Sequence, residues 1–223
     1  MAVQMQERHG GVLQIENILA ENTAAALTLT ANGDYVSISG SYENGDIVRI
    51  TEPAQLAGDY MVTQFDGNTD LGFKVLHGLI ADDLSGISGD ILGYKIELLP
   101  ACWVTDISGN LGTWNTEEMK TGCETFTFST GFERGEVTFN YNENWTIELQ
   151  LALKNAFQDN APSVAVSYIP MGIDENNNKE LLGLQETYKA LLTGIDFDRP
   201  NDGASTGSLT LKLQSKVVTA RIA

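Results

Sequence analysis

His77 is the one histidine beyond the first ten residues, and a serine-type triad would have to be built on it. Such a site needs a nucleophile held on a strained turn, and no Gly-x-Ser-x-Gly elbow accompanies His77. His9 lies in a segment, residues 1–10, that reads as a mobile N-terminal arm. Zinc needs three or four His, Cys or carboxylate ligands at short spacings. Cys102 and Cys123 stand 21 residues apart in no such pattern, so they read as reduced, partly buried thiols. Asp174 to Glu180 begins like a calcium loop, but Lys179 takes the glycine position and Gln185 the closing glutamate position. Paired carboxylates could hydrolyse a glycoside. Among 30 acidic residues, however, no spacing singles out a pair. Trp103, Trp114 and Trp145 could line a sugar platform, but core or interface packing suits them better. The expectation is a protein that is not an enzyme, with no catalytic residue, no metal and no cofactor.

The elements that would position any site are mostly strands. The phrase Gly-Asp followed by two apolar residues occurs at Gly33, Gly45, Gly58 and Gly89. Phosphate loops of the Gly-x-Gly-x-x-Gly or Gly-x-x-x-x-Gly-Lys type precede a helix. Neither pattern is present, and each Gly-Asp here precedes an alternating run such as Ile47 to Thr51. Glycine permits a tight turn and aspartate bonds its own backbone there, so the repeat predicts turn-then-strand units in a β-meander. Strands are also expected at 11–18, 25–30, 164–169 and 208–214, and along 91–104 with a break at Pro100. Residues 125–129 and 136–141 read as a strand pair joined by the glycine-containing segment 130–135. Leu181 to Leu192 is ambiguous and reads better as strand, running on to Phe197.

One segment reads as helix, about 145–157. Its Ala, Gln, Glu and Lys content favours helix. At 3.6 residues per turn, Trp145, Leu149, Ala152, Leu153 and Ala156 form a stripe, and Ile147 and Leu151 fall opposite. Two apolar faces suggest a helix held between its own sheet and a neighbour. Trp145, Ile147, Leu149, Leu151 and Leu153 are therefore the candidates for packing between subunits.

The formal charge of −17 argues against sequence-specific nucleic-acid binding, which relies on Lys and Arg neutralising phosphates. No apolar run is long enough to cross a bilayer. The N-terminus lacks the charged and apolar regions of a signal peptide, so synthesis and retention in a cytoplasm are expected. The sequon at Asn144 then has no role.

From Trp145 onward the chain resembles the tail tube proteins of long-tailed bacteriophages. The resemblance lies in the helix pattern Leu149, Ala152, Leu153, Ala156, Phe157, then a polar turn at Gln158–Pro162 and an apolar strand at Ser163–Tyr168. A strand around Thr193–Gly203 and the closing strand Ser208–Gln214 follow. The hairpins of Asn44–Phe73 are also similar to those of phage tail proteins.

The resemblance implies a mainly β, sandwich- or barrel-type tail tube fold with one flanking helix, 11–223 forming a single domain, and 33–95 as an inserted or extended β-meander. It implies hexameric rings of this chain, stacked into a tube through which genomic DNA passes without specific binding. The implied partners are further copies, a tape measure protein and tail terminator or baseplate proteins, with no membrane. The implied location is the virion tail, assembled in the host cytoplasm. The acidic charge would then line a non-sticking lumen. The alternatives are another virion β protein, such as a capsid decoration or fibre-base domain, and a carbohydrate-binding β domain.

Overall fold

The computed structural model describes residues 11–32, 35–39, 42–54, 56–64, 71–74, 91–121, 124–144, 146–173, 179–181, 184–215 and 217–221. The N-terminal arm, Trp145, Cys123, His77 and the start of the calcium-like loop lie outside them. In chain order the elements begin with β1 (Gly11–Glu16), β2 (Ala25–Ala26), β3 (Thr28–Asn32), β4 (Tyr35–Ser39), β5 (Ile47–Glu52) and β6 (Gly58–Met61). Next come β7 (Thr63–Gln64), β8 (Leu71–Lys74), β9 (Leu92–Lys95), β10 (Leu98–Pro100), β11 (Val104–Gly109), β12 (Gly112–Thr121) and β13 (Glu124–Arg134). Then follow β14 (Glu136–Asn142), α1 (Glu148–Asp159), β15 (Ser163–Ile173), β16 (Lys179–Leu181), β17 (Leu184–Asp198), β18 (Thr206–Leu213) and β19 (Val218–Arg221). The protein is mainly β, its pairings are antiparallel, and the described residues contain one helix.

The sequence suggested one domain from residue 11 onward. The packing divides into two compact units: Met1–Ala101 with Ala165–Tyr188 and Val218–Ala223, and Cys102–Val164 with Lys189–Val217.

In the first unit, β1 lies between β10 and β15, and almost all of its residues are buried. A strand covered on both faces reads as a continuous apolar run, as Val12, Leu13 and Ile15 do. Two four-stranded sheets stand beside this arrangement, in the orders β2-β9-β5-β6 and β3-β4-β8-β7.

The repeated Gly-Asp phrase therefore does not make one meander. β4 pairs with β3 and β8, whereas β5 pairs with β6 and β9. Gly45 does turn as expected: its φ is 94°, the left-handed region that glycine tolerates, and the Asp46 carboxylate accepts the Glu43 N–H at 2.8 Å. Gly58 instead starts β6 itself, and the Gly33 and Gly89 copies lie outside the described residues.

In the second unit the strand order is β17-β18-β14-β11. Period-two alternation buries Val137, Phe139 and Tyr141 of β14 and Leu209, Leu211 and Leu213 of β18. Residues 130–135 are not the expected turn. β13 runs through them to Arg134, and Gly131 lies opposite Asn115 of β12, beside a register shift that marks a bulge. β12 and β13 form a ribbon of their own that pairs with no third strand among the described residues. It continues the β11–β14 ladder past a bend. At that bend Gly135 approaches Asn110 so closely that a Cβ would lie 2.0 Å from the Asn110 carbonyl oxygen.

Candidate assembly surface

The helix begins at Glu148 and not at Trp145, because side chains of the preceding segment capture its backbone. The Asn144 Oδ1 accepts the Thr146 N–H at 3.0 Å. Gln150 reaches back, accepting from Asn144 N at 2.9 Å and donating to the Asn142 carbonyl at 3.0 Å. These bonds fix a turn ahead of α1. Glu148 in the first turn complements the helix dipole.

The residues expected to pack between subunits take different positions. Leu149 and Leu153, four apart on one face, are buried in their own unit at 4% and 2% exposure. Ile147 is half-buried at the N-cap, and Trp145 lies outside the described residues. Leu151, on the other face, is 41% exposed. It stands on the rim of a shallow recess open to solvent. The recess is lined from α1 by Gln150, Leu151 and Lys154, from β14 by Tyr141, from β17 by Ile195 and from β18 by Leu209, with Trp103, Glu143 and Asn144. The Trp103 and Tyr141 rings meet edge to face with centroids 5.5 Å apart, which is the favoured geometry for an aromatic pair.

Next to the recess wall stands Phe197, at the end of β17 and 58% exposed. The Arg199 guanidinium sits 4.5 Å from its ring centroid and the Lys154 ammonium 5.8 Å away. Both are within the range of cation–π attraction. Arg199 also donates twice to Glu143, at 2.7 and 2.5 Å. These bonds hold the Glu143 carboxyl below its ordinary range and push Arg199 up. Burial, and then the charge of Glu143, push the Tyr141 hydroxyl up. The sequence reading missed Phe197, Arg199 and Glu143 as site residues. The available signal was Phe197 at the end of an alternating strand with Arg199 just beyond it, an aromatic residue and a cation two positions apart.

The first unit holds a largely buried ion-paired cluster. Arg49 of β5 binds Glu16 and Asp59, and Glu16 also accepts the Ala165 N–H at 2.8 Å. Both carboxylates face the same cation and their oxygens are occupied, so the cluster offers no free base or nucleophile. It ties β1, β5, β6 and β15 together.

No helix among the described residues is long and apolar enough to cross a membrane. No protein-family model and no curated protein matches the chain. Solved structures with related shape include a chain of the sheath-tube complex of an extracellular contractile injection system. It has a TM-score of 0.39 at 13% identity, covering 82% of this chain and 90% of that one. The tube-terminating cap of the anti-feeding prophage gives 0.40 at 18% identity, covering 56% and 83%. A crystal structure of Hcp protein gives 0.34 at 12% identity, covering 53% and 76%. With all of these TM-scores below 0.5, the functional reading rests on the chain's own residues.

Proposed function

We propose that this chain is a structural subunit of a phage-type tail tube and not an enzyme. Copies associate into hexameric rings, and the rings stack into a hollow tube that conducts DNA during ejection. Both compact units belong to one tube-type subunit, built on a β-sandwich, with the first unit carrying the added strands between residues 33 and 95. The acidic balance of the chain suits a lumen that repels phosphate, so DNA passes without sticking. The partners are further copies of the chain, a tape measure protein, and terminator or baseplate proteins at the tube ends. The finished location is the virion tail.

One observation carries this reading. The second unit buries one face of α1 and leaves Leu151 exposed beside an open recess and an exposed Phe197. An exposed leucine and an exposed phenylalanine near one recess suit cover by another subunit. The β12–β13 ribbon, which pairs with no third strand among the described residues, adds support, because a two-stranded ribbon is marginal alone and gains from a partner. The order of helix, turn, strand, long strand and closing strand also follows the pattern that carried the resemblance.

Sedimentation velocity over a wide concentration range tests it. Self-association into a discrete large species is expected. A monomer throughout the range contradicts the reading.

A further inference from the structure

The turn into β5 contains a pair that reacts with itself when free to move. Asparagine before glycine is prone to deamidation, because glycine has no Cβ to shield its backbone nitrogen. The chain has two such pairs, Asn32–Gly33 and Asn44–Gly45. In the second, the Gly45 nitrogen would bond to the Asn44 Cγ, and the Cγ–Nδ2 bond would break to release ammonia. Water would then open the cyclic imide at either carbonyl, leaving aspartate or isoaspartate at this position. The attacking nitrogen must first give up its proton, so the reaction quickens with pH.

The fold holds both polar atoms of Gly45 away from this chemistry. Its N–H donates to the Val62 carbonyl at 2.7 Å, and its carbonyl accepts from Gln185 Nε2 at 2.8 Å. Gln185 is 4% exposed, and its Nε2 also donates to Ser167 Oγ at 2.9 Å. The flanks are tied as well. The Val62 N–H donates to the Asp46 carbonyl at 2.8 Å, and the Asp46 carboxylate accepts the Glu43 N–H. Gly45 itself is buried. Before its nitrogen can attack, the bond to Val62 must break, and a buried amide held in this way is released only by local opening.

We propose that Asn44 is a latent deamidation site, and that Gln185, 140 residues further along the chain, sets how often it is released. The turn and its ties lie within one chain, so the protection does not need assembly. Isoaspartate at this position would lengthen the backbone just ahead of β5. The β5–β6 ladder starts at Ile47, and Arg49 of β5 holds Glu16 and Asp59.

Peptide mapping by mass spectrometry tests this, on protein held at one mildly alkaline pH and one temperature, in native buffer and in guanidinium chloride. Asn44 should convert at least about tenfold more slowly in native buffer. Equal rates in the two solvents would overturn the proposal. Gln185→Met keeps the bulk of the side chain and removes both hydrogen bonds. It should raise the native rate at Asn44 several-fold and leave the rate in guanidinium chloride unchanged. A folded Gln185→Met protein that deamidates no faster than wild type in native buffer would overturn the role of Gln185. Hydrogen exchange supplies a check that needs no variant. The Gly45 amide of the wild-type protein should exchange slowly, and exchange at the rate of an unfolded chain would overturn the protection.

Discussion

Arg49 grips Glu16 with both terminal nitrogens, Nη1 to Oε1 at 2.8 Å and Nη2 to Oε2 at 2.9 Å. Its Nε and Nη2 hold Asp59 at 2.7 and 2.8 Å. The three side chains are at most 17% exposed, so removing the cation leaves two buried carboxylates without their counter-charge. Breaking a buried pair in this way costs about 3–5 kcal/mol. Arg49→Met should lower the urea midpoint of the protein accordingly. A midpoint unchanged from wild type would mean that the cluster does not hold β1, β5 and β6 together.

The two faces of α1 should respond differently to truncation. Leu149→Ala and Leu153→Ala open cavities in a packed core and should each cost about 2–5 kcal/mol. Leu151→Ala removes an exposed side chain and should leave the melting temperature nearly unchanged while weakening self-association. Paired melting and sedimentation measurements separate the two effects. Equal stability losses at all three positions would contradict the assigned faces.

Gly135 leaves no room for a side chain, because a Cβ would meet both the carbonyl oxygen and Oδ1 of Asn110. Gly135→Ala must shift the bend between the β11–β14 ladder and the β12–β13 ribbon. The expected cost is about 1–3 kcal/mol, the usual range for overpacking. Thermal denaturation reads it, and a neutral substitution would show that the bend yields freely.

The Glu143 carboxyl titrates below its ordinary range because Arg199 donates to it. A depressed folded value contributes stability that is present above the unfolded carboxylate range, near pH 4, and lost as pH falls through the folded value. The difference in melting temperature between wild type and Glu143→Gln should therefore be full at about pH 6 and close on acidification below about pH 4. A difference that grows toward low pH would reverse the assigned sign. At the alkaline end, burial and then the charge of Asp59 push the Tyr60 hydroxyl up to about 12. Ultraviolet titration should show late-ionising tyrosine, a range to which burial also pushes Tyr188, and Tyr60→Phe should reduce the amplitude of that late step.

The sequence made local choices legible. β18 and β15 follow from period-two runs bounded by turn residues, and α1 follows from helix formers that outweigh a competing alternation. It did not reveal which strands pair. The Gly-Asp repeats looked like one meander because each is a turn-and-strand unit, but β4 and β5 find partners in different sheets. Pairing is a long-range choice that spacing alone does not encode. Gly131 looked like a turn residue and instead sits in a strand beside a bulge, a role that glycine also serves. The recess escaped detection for a similar reason. Trp103, Tyr141, Lys154, Ile195 and Leu209 come from separate elements and meet only when the strands align.

Electron microscopy of the negatively stained protein at assembling concentration tests the central claim most directly. Rings with six-fold symmetry and a central channel, stacking into hollow tubes, are the predicted result. Single small particles in every field, at every concentration, would contradict a tail tube subunit.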